Sequence, residues 1–553
     1  MKHATLTRLR RISHIFFLAL FFFLLLRTEL RGSLQAQGDA TRLPYPVKLF
    51  FQLDPLVAIS NALASHALYR GLLWSLLILV PTFFFGRFFC GWICPMGTLN
   101  HFVGSLKSEA KRGKHLIESN RYKRWQTTKY YLLIVVLFSA FFGSGLVGWL
   151  DPFSFLVRSF GLSFLPAANY AVDSSLDSIA HAVIIPLQFL IGIIHLLLNA
   201  TVLSFKQPHF RQGFFLGLLF VFILLLNFRV TRFWCRAICP LGALLGIASR
   251  WSILGLEKSY ASCDNCNRCM LHCQGGDDPI GGVPWHKAEC HLCLNCLGEC
   301  PHDGLAFKFF PQNAEAKVGP NLKRRQALVS IATGAALIPL LRSTSAFAAE
   351  KSDRLVRPPG ALEESDFLSR CIRCGECMKV CPNNSLQPSF AQAGLEGVWT
   401  PVLVSRIGYC ESSCVLCSQV CPTGAIWEIT PKEKGWTVDI AADTKPIRIG
   451  TAFYDRGRCL PWAMATDCIV CEEWCPTSPK AIYMCPAEVI DARGNPKQIK
   501  QPWVDPSQCV GCGACEYACP IHNNPAVYVL SIGETRSKTN QILLNKRKEK
   551  PHQ

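Results

Sequence analysis

Residues 371–382 read CIRCGECMKVCP, with cysteine at 371, 374, 377 and 381 and proline at 382. Three thiols at every third position bracket one small volume. The fourth stands off by three residues, and Pro382 follows it. Proline lacks an N–H and clashes with a preceding helical turn, so the chain must swing away there. The same arrangement recurs along the chain. Its members are Cys263, Cys266, Cys269 and Cys273; Cys290, Cys293, Cys296 and Cys300; Cys371, Cys374, Cys377 and Cys381; Cys410, Cys414, Cys417 and Cys421; Cys459, Cys468, Cys471 and Cys475; and Cys509, Cys512, Cys515 and Cys519. Four of the six groups keep the strict spacing; the fourth opens with a gap of three residues and the fifth with a gap of eight. All but the first end in Cys-Pro.

This is the ligand spacing of bacterial ferredoxins, in which three thiolates wrap a cubane corner and the distal cysteine reaches the neighbouring cluster. Six groups therefore predict six [4Fe–4S] clusters in ferredoxin-like pairs. Zinc sites take two Cys-x-x-Cys pairs rather than a triplet followed by a spaced Cys-Pro. A secreted disulfide scaffold would be short and irregularly spaced. No Cys-x-x-Cys-His occurs, which excludes covalent haem attachment of the c type.

Of the 29 cysteines, five remain. Four lie in an internal repeat. Residues 86–100 read GRFFCGWICPMGTLN and residues 231–245 read TRFWCRAICPLGALL, identical at eight of fifteen positions. Each copy closes an apolar run and carries Cys-x-x-x-Cys-Pro. On one helix an i, i+4 pair shares a face one turn apart. Two copies brought together then offer Cys90, Cys94, Cys235 and Cys239 to a single centre, as redox-active thiols or as an additional metal site. Packing cysteines in apolar helices are the plain alternative. Arg87, Arg232 and Arg236 are expected to favour a thiolate by lowering its pKa. Cys485 is structural or a substitute ligand.

Half the residues are hydrophobic, the mean hydropathy is +0.23 and the net charge is +19. Lys and Arg sit beside the apolar runs, as the positive-inside rule requires. No aromatic–basic sheet motif accompanies the charge, so nucleic acid is not expected as a partner. Candidate spans are residues 12–28, 71–86, 129–150, 213–228 and 327–341. Several fall short of the roughly 20 residues a bilayer needs, so their aromatic flanks must help. This topology puts both repeats and the 263–300 clusters inside and the 371–519 clusters outside. A further apolar segment, 179–200, is read as packed at the outer face or re-entrant, because tandem repeats demand an even number of crossings. His181 and His195 within it are interface histidines in preference to haem ligands.

Asp54 and Asp151 each precede a proline on the predicted outer face. They are read as N-caps with Pro at N1, with proton acceptance from a quinol as the sharper alternative. Residues 323–350 combine twin arginines, an apolar stretch and Ala346-Phe347-Ala348. This resembles a Tat signal in mid-chain, suited to a domain that crosses the membrane already loaded with clusters. No nucleotide loop occurs.

On these motifs, residues 70–300 resemble the NapH/NosR-type membrane iron–sulfur proteins, and residues 320–530 resemble the NapG/MauM-type periplasmic ferredoxins, as a natural fusion. The resemblance implies a quinol dehydrogenase module that exchanges electrons with the quinone pool and delivers them to a periplasmic oxidoreductase or multihaem cytochrome. Its rival is a redox or assembly factor for another membrane metalloenzyme. The expected architecture is multi-domain, with an α-helical membrane domain of about five spans plus α+β bacterial-ferredoxin-like domains. The divisions are an N-terminal anchor (1–32), a membrane domain with both repeats (33–250), a cytoplasmic two-cluster ferredoxin (251–310), a Tat-like signal or anchor helix (320–349), a periplasmic four-cluster ferredoxin (350–535) and a basic tail (536–553). The location expected is the bacterial inner membrane, multi-pass. Three departures stand out: Cys273 lacks its proline, the Cys459–Cys468 gap is long, and 179–200 is an addition.

Overall fold

A computed structural model describes residues 3–29, 42–106, 113–182, 185–201, 203–204, 207–258, 266–276, 285–302, 304–311, 322–349, 353–390, 392–436, 445–490, 493–537 and 540. Cys263 and most of the basic tail fall outside them. The chain divides into two compact units. The first holds Met1–Thr28, Pro44–Leu341 and Ser369–Glu376; the second holds Glu29–Leu43, Arg342–Leu368 and Cys377–Gln553.

The first unit is mostly helical. Its opening helix is His3–Arg27, and the stretch Thr5–Arg27 is the one helix among the described residues long and apolar enough to cross a bilayer. Shorter apolar helices are Pro55–Ser65, Arg70–Phe85, Gly213–Phe228 and Pro240–Ser249. Two of them, Arg70–Phe85 and Gly213–Phe228, bury one side and leave the other bare. Gly213–Leu225 buries Leu216, Phe220 and Ile223 but exposes Phe214, Phe215, Leu218, Phe222 and Leu225. Arg70–Phe85 exposes Trp74, Leu77, Val80 and Phe84 in the same way. A contiguous bare apolar surface of this kind marks a face that meets lipid or protein.

Two expected spans are built differently. The run 129–150 is not one helix: Thr128–Phe141 stops, Gly143 takes a left-handed φ of +81°, and a short helix Val147–Leu150 follows. Glycine carries no Cβ penalty there, so the Gly-Ser-Gly sequence ends the helix despite its apolar flanks. The run 179–200 is not one segment either. Helices Leu165–Ala182 and Ile185–Thr201 pack antiparallel, with His195 Nε2 3.1 Å from Asp173 Oδ1 across the pair. His181 and His195 therefore do not share one helix face.

One core runs through this unit. It joins Phe50, Phe51, Phe89, Tyr130, Phe153, Phe155, Trp234 and Leu245 to all four repeat cysteines, and also to Ile372 and Cys374. Phe155 and Trp234 stack at 5.0 Å. Strand β1 (Leu254–Lys258) pairs antiparallel with β2 (Leu305–Phe309), from Leu254 opposite Phe309 to Lys258 opposite Leu305. These strands flank the first two cysteine groups, the α+β arrangement expected of a two-cluster ferredoxin.

The second unit is built from short helices and three two-stranded antiparallel sheets among the described residues. Strand β3 (Leu386–Pro388) pairs with β4 (Pro401–Leu403), β5 (Thr451–Tyr454) with β8 (Val527–Leu530), and β6 (Ile482–Ile490) with β7 (Pro496–Val504). The β5–β8 pair brackets the fifth and sixth cysteine groups. The β6–β7 hairpin is inserted between those groups, and Cys485 sits in mid-strand opposite Gln501. The Tat-like segment lies in a helix, Arg324–Ala349.

Candidate iron–sulfur centres

The strict triplets share a backbone trick that their side chains do not announce. In Cys290–Cys296, Leu292 and Leu294 have φ of +50° and +60°; in Cys371–Cys377, Arg373 and Gly375 have +55° and +90°. Gly511 and Gly513 repeat this at +76° and +83°, and Asn267 holds the second position of the first group at +56°. Left-handed residues alternating with ordinary ones turn successive N–H groups inward and make an anion-holding nest. The looser groups do without it. Val415 has φ −128° and Ile469 has φ −119°, because the longer first gap relieves the turn.

In four groups the distal cysteine (Cys273, Cys381, Cys475 and Cys519) lies with its neighbour's triplet. Burial, then Cys293, Cys290, Cys273 and Cys269, push the Cys296 thiol well up. Burial, Cys410 and Cys414 do the same to Cys417, with Cys381 adding to it. Cys515 is raised by burial, Cys512 and Cys509, with Cys475 close by. Cys459, raised to about 12 by burial, faces Cys471, Cys468 and Cys519. Thiols crowded in this way need a positive metal core to remain thiolates. Two cavities are lined by these thiols. One of about 560 Å³ is lined by Cys269, Cys273, Cys290, Cys293 and Cys296. Another of about 320 Å³ is lined by Cys475, Cys509, Cys512 and Cys515.

Side chains that the spacing does not reveal touch these sulfurs. The Lys434 ammonium, fully buried, donates to Cys410 Sγ at 3.5 Å and to the carbonyls of Glu411 (2.6 Å) and Cys414 (2.8 Å). Tyr454 Oη lies 3.0 Å from Cys471 Sγ. Both come from outside the cysteine groups, so no local motif signals them.

The repeat is assembled otherwise than a single helix would allow. Cys90 lies in helix Phe88–Trp92, which stops before Cys94, and helix Pro95–Leu106 begins after it. In the second copy a π-turn, Trp234–Ile238, carries Cys235, and Cys239 caps helix Pro240–Ser249, its Sγ accepting from Gly242 N at 3.3 Å. Each proline, unable to donate, starts the new helix at N1. The four thiols nonetheless meet in one buried site. Burial, then Cys235 and Cys90, raise Cys94; burial, then Cys235, Cys90 and Cys94, raise Cys239. This corrects the expectation that the arginines lower these thiols: burial outweighs Arg232 and Arg87 at Cys235, and its pKa rises. Arg236 turns elsewhere, to the carbonyls of Asn120 and Arg121.

Each copy's arginine reaches across to the other copy. Arg232 Nη1 donates to Cys90 O at 2.9 Å, and Arg87 Nη2 lies where a side chain on Gly242 would stand. Both arginines are fully buried, and Arg232 Nε and Nη2 have no protein partner. A buried cation demands an anion. A thiolate-bound iron–sulfur cluster supplies one, so this donor set fits the group. Among the described residues no three His, Cys, Asp or Glu side chains converge on a point for a single ion.

The ferredoxin loop is laid on the first copy. Arg87 Nη1 donates to Ala288 O at 3.0 Å, Trp92 Nε1 to Leu292 O at 3.0 Å, and Arg10 to Cys293 O. Glu289 is held by Tyr130 Oη at 2.8 Å and by Lys129. On the Cys371–Cys374 loop, Arg158 donates to Arg373 O at 3.0 Å and Arg373 to Gly145 O.

Asp54 and Asp151 are N-caps, as read from the sequence: Asp54 accepts from Leu56 N at 2.7 Å and Asp151 from Ser154 N at 2.7 Å. Both are fully buried, and burial, then the neighbouring Asp151, pushes the Asp54 carboxyl well up.

A family model described as a 4Fe-4S binding domain matches residues 67–115 and 212–255, the two copies of the repeat. A second, a 4Fe-4S dicluster domain, matches residues 370–425 and 480–523. The methylamine utilization ferredoxin-type protein MauM of Methylorubrum extorquens is 33% identical over 203 residues, 36% of this chain and 80% of the relative. The ferredoxin-type protein NapG of Escherichia coli is 32% identical over 222 residues, 38% of this chain and 87% of the relative. The chain belongs to the MauM/NapG ferredoxin-type family. These relatives match 36% and 38% of this chain. An uncharacterized protein of Methanocaldococcus jannaschii is 27% identical over 192 residues. No solved structure matches. As a MauM/NapG ferredoxin-type protein, the chain transfers electrons through [4Fe–4S] clusters.

Proposed function

We propose that this chain is a membrane-bound electron conduit that oxidises quinol and passes electrons to a periplasmic oxidoreductase or cytochrome. The observation that carries the reading is the four-thiol site of the repeat. Its core continues to Cys374 through Phe153, Phe155 and Trp234, while Arg87 and Trp92 hold the Cys290–Cys293 loop against it. Clusters separated by roughly 30 Å of hydrocarbon need an intermediate station, and Cys90, Cys94, Cys235 and Cys239 are the residues that hold it. Iron–sulfur centres take up and release single electrons without moving atoms, which matches a two-electron donor to one-electron acceptors. The remaining 24 cysteines of the six groups are assigned as cluster ligands.

The protein's residues supply insulation and charge. Bare apolar faces on Arg70–Phe85 and Gly213–Leu225 seat the unit in lipid, and the helix at Arg324–Ala349 anchors or exports the second ferredoxin portion. The five candidate spans are read as a multi-pass inner-membrane domain. Buried arginines offset the negative charge of the centres. Mixing the purified protein with a reduced quinol analogue under anaerobic conditions tests the reading. Rapid bleaching of the iron–sulfur absorbance is expected. Bleaching by dithionite alone would instead favour the assembly-factor reading.

A further inference from the structure

Beside the first ferredoxin portion lies a second, half-open cavity that meets the first centre only at Cys273. His101, Gly104, Leu116, Phe228, Cys273 and Gln274 are among its lining residues. Its chemistry is graded. At the inner wall stands Cys273, whose sulfur belongs with Cys290, Cys293 and Cys296. Beside it Gln274 is 2% exposed, and neither its Oε1 nor its Nε2 has a partner. A buried amide with nothing to bond is costly unless a ligand completes it. Across the cavity is His101. Burial, and after it Arg232, push this imidazole down to about 2, so it stays neutral and can accept from a hydroxyl.

At the rim the surface turns apolar. Phe102 and Leu106 on helix Pro95–Leu106 are 60% and 62% exposed. This helix packs against Gly213–Leu225 and its 3-10 extension Leu226–Phe228, where Phe222 and Leu225 are also bare. Phe228 itself lines the cavity. A polar niche against a cluster sulfur thus opens onto a greasy track.

The geometry points to this cavity as the binding site for a lipid-soluble hydroquinone, with the ring between His101 and Gln274 and the isoprenoid tail along the bare faces of the two helices. It rests on the reading that hydroquinone is the reductant, and it says where that molecule binds. One ring hydroxyl donates to His101 and another donates to Gln274 Oε1. On oxidation both O–H bonds break. The two protons leave to water at the cavity's open side, and two electrons pass one at a time toward the centre held by Cys273. The ring leaves as quinone.

Gly104 allows a clean test, because a Cβ added there meets nothing within 4 Å. Gly104→Trp should fill the cavity without disturbing the fold. An azido-quinone is irradiated with the intact protein in detergent and the adducts are mapped by mass spectrometry; reduction by a soluble-tailed hydroquinone is timed in parallel. Expected are adducts within residues 101–106 or 271–274, abolished by Gly104→Trp, and about tenfold slower quinol reduction in His101→Ala, with dithionite reduction and iron content unchanged in both. Adducts elsewhere, with normal rates in both variants, overturn this site while leaving quinol oxidation standing. Failure of the wild-type protein to accept electrons from any hydroquinone overturns both.

Discussion

Gly97 and Gly242 follow the two Cys-Pro pairs at the same register, and each lacks a side chain where a neighbour stands close. A Cβ at Gly97 would stand 2.8 Å from Cys90 O, and one at Gly242 would stand 2.8 Å from Arg87 Nη2. The carbonyl cannot move without unwinding its helix. Gly97→Ala is therefore expected to cost about 1–3 kcal/mol, seen as a lower midpoint in thermal unfolding with loss of iron from the same preparation. The Lys434 ammonium acts on charge. It donates to Cys410 Sγ, so it stabilises the reduced, more negative state of the centre there. Lys434→Met should move one midpoint potential of the protein downward and leave the others in place, as resolved by an EPR-monitored redox titration. Glu364 controls the acid limit of the second unit. Burial opposes its ionisation, but Arg357 and Arg536 win and hold it at about 2 against an ordinary 4.5. Its folded-state pKa is lowered, so its stabilisation is complete above about pH 4.5 and is lost as the pH falls toward 2. At neutral pH this is worth about 1–2 kcal/mol. Glu364→Gln should unfold at lower temperature at pH 7 but approach the parent protein near pH 2. The cysteines were legible because ligand spacing is local chemistry. Lys434, Tyr454 and Glu364 were not, because each meets its partner only through the folded chain.

At the scale of elements, the binding loops explain both what the spacing showed and what it hid. Gly375, Gly511 and Gly513 hint at left-handed backbone, but Leu292, Leu294 and Arg373 occupy the same positions without glycine. The metal and the tertiary fold override their preference. At Gly511 the demand is doubled, since φ is +76° and a Cβ would stand 2.5 Å from Gly450 N. Gly511→Val should remove about four irons per chain, measured by metal analysis, while Leu292→Gly should retain the full complement. The helix reading erred for a related reason. Hydropathy reports how apolar a run is, not whether it is continuous. Gly143 breaks 129–150, and Ile185–Thr201 packs back on Leu165–Ala182 as a separate helix. Likewise the Cys-x-x-x-Cys pair does not ride one helix, because Pro95 and Pro240 each open a new one. The proline was present in the motif and is the signal for that break.

For the molecule as a whole, the account rests on the internal repeat supplying a centre of its own, apart from the six ferredoxin groups. Two copies cross their arginines, share a carboxyl pair at Asp54 and Asp151, and bring four buried thiols to one place. The six ferredoxin groups alone would hold about 24 irons, four per cubane. The decisive measurement is the iron content of the anaerobically purified chain, compared with that of a Cys90→Ser/Cys235→Ser variant. The account predicts a wild-type count clearly above about 24, falling to about 24 in the variant with the six ferredoxin signals intact. Equal iron in the two proteins would contradict it.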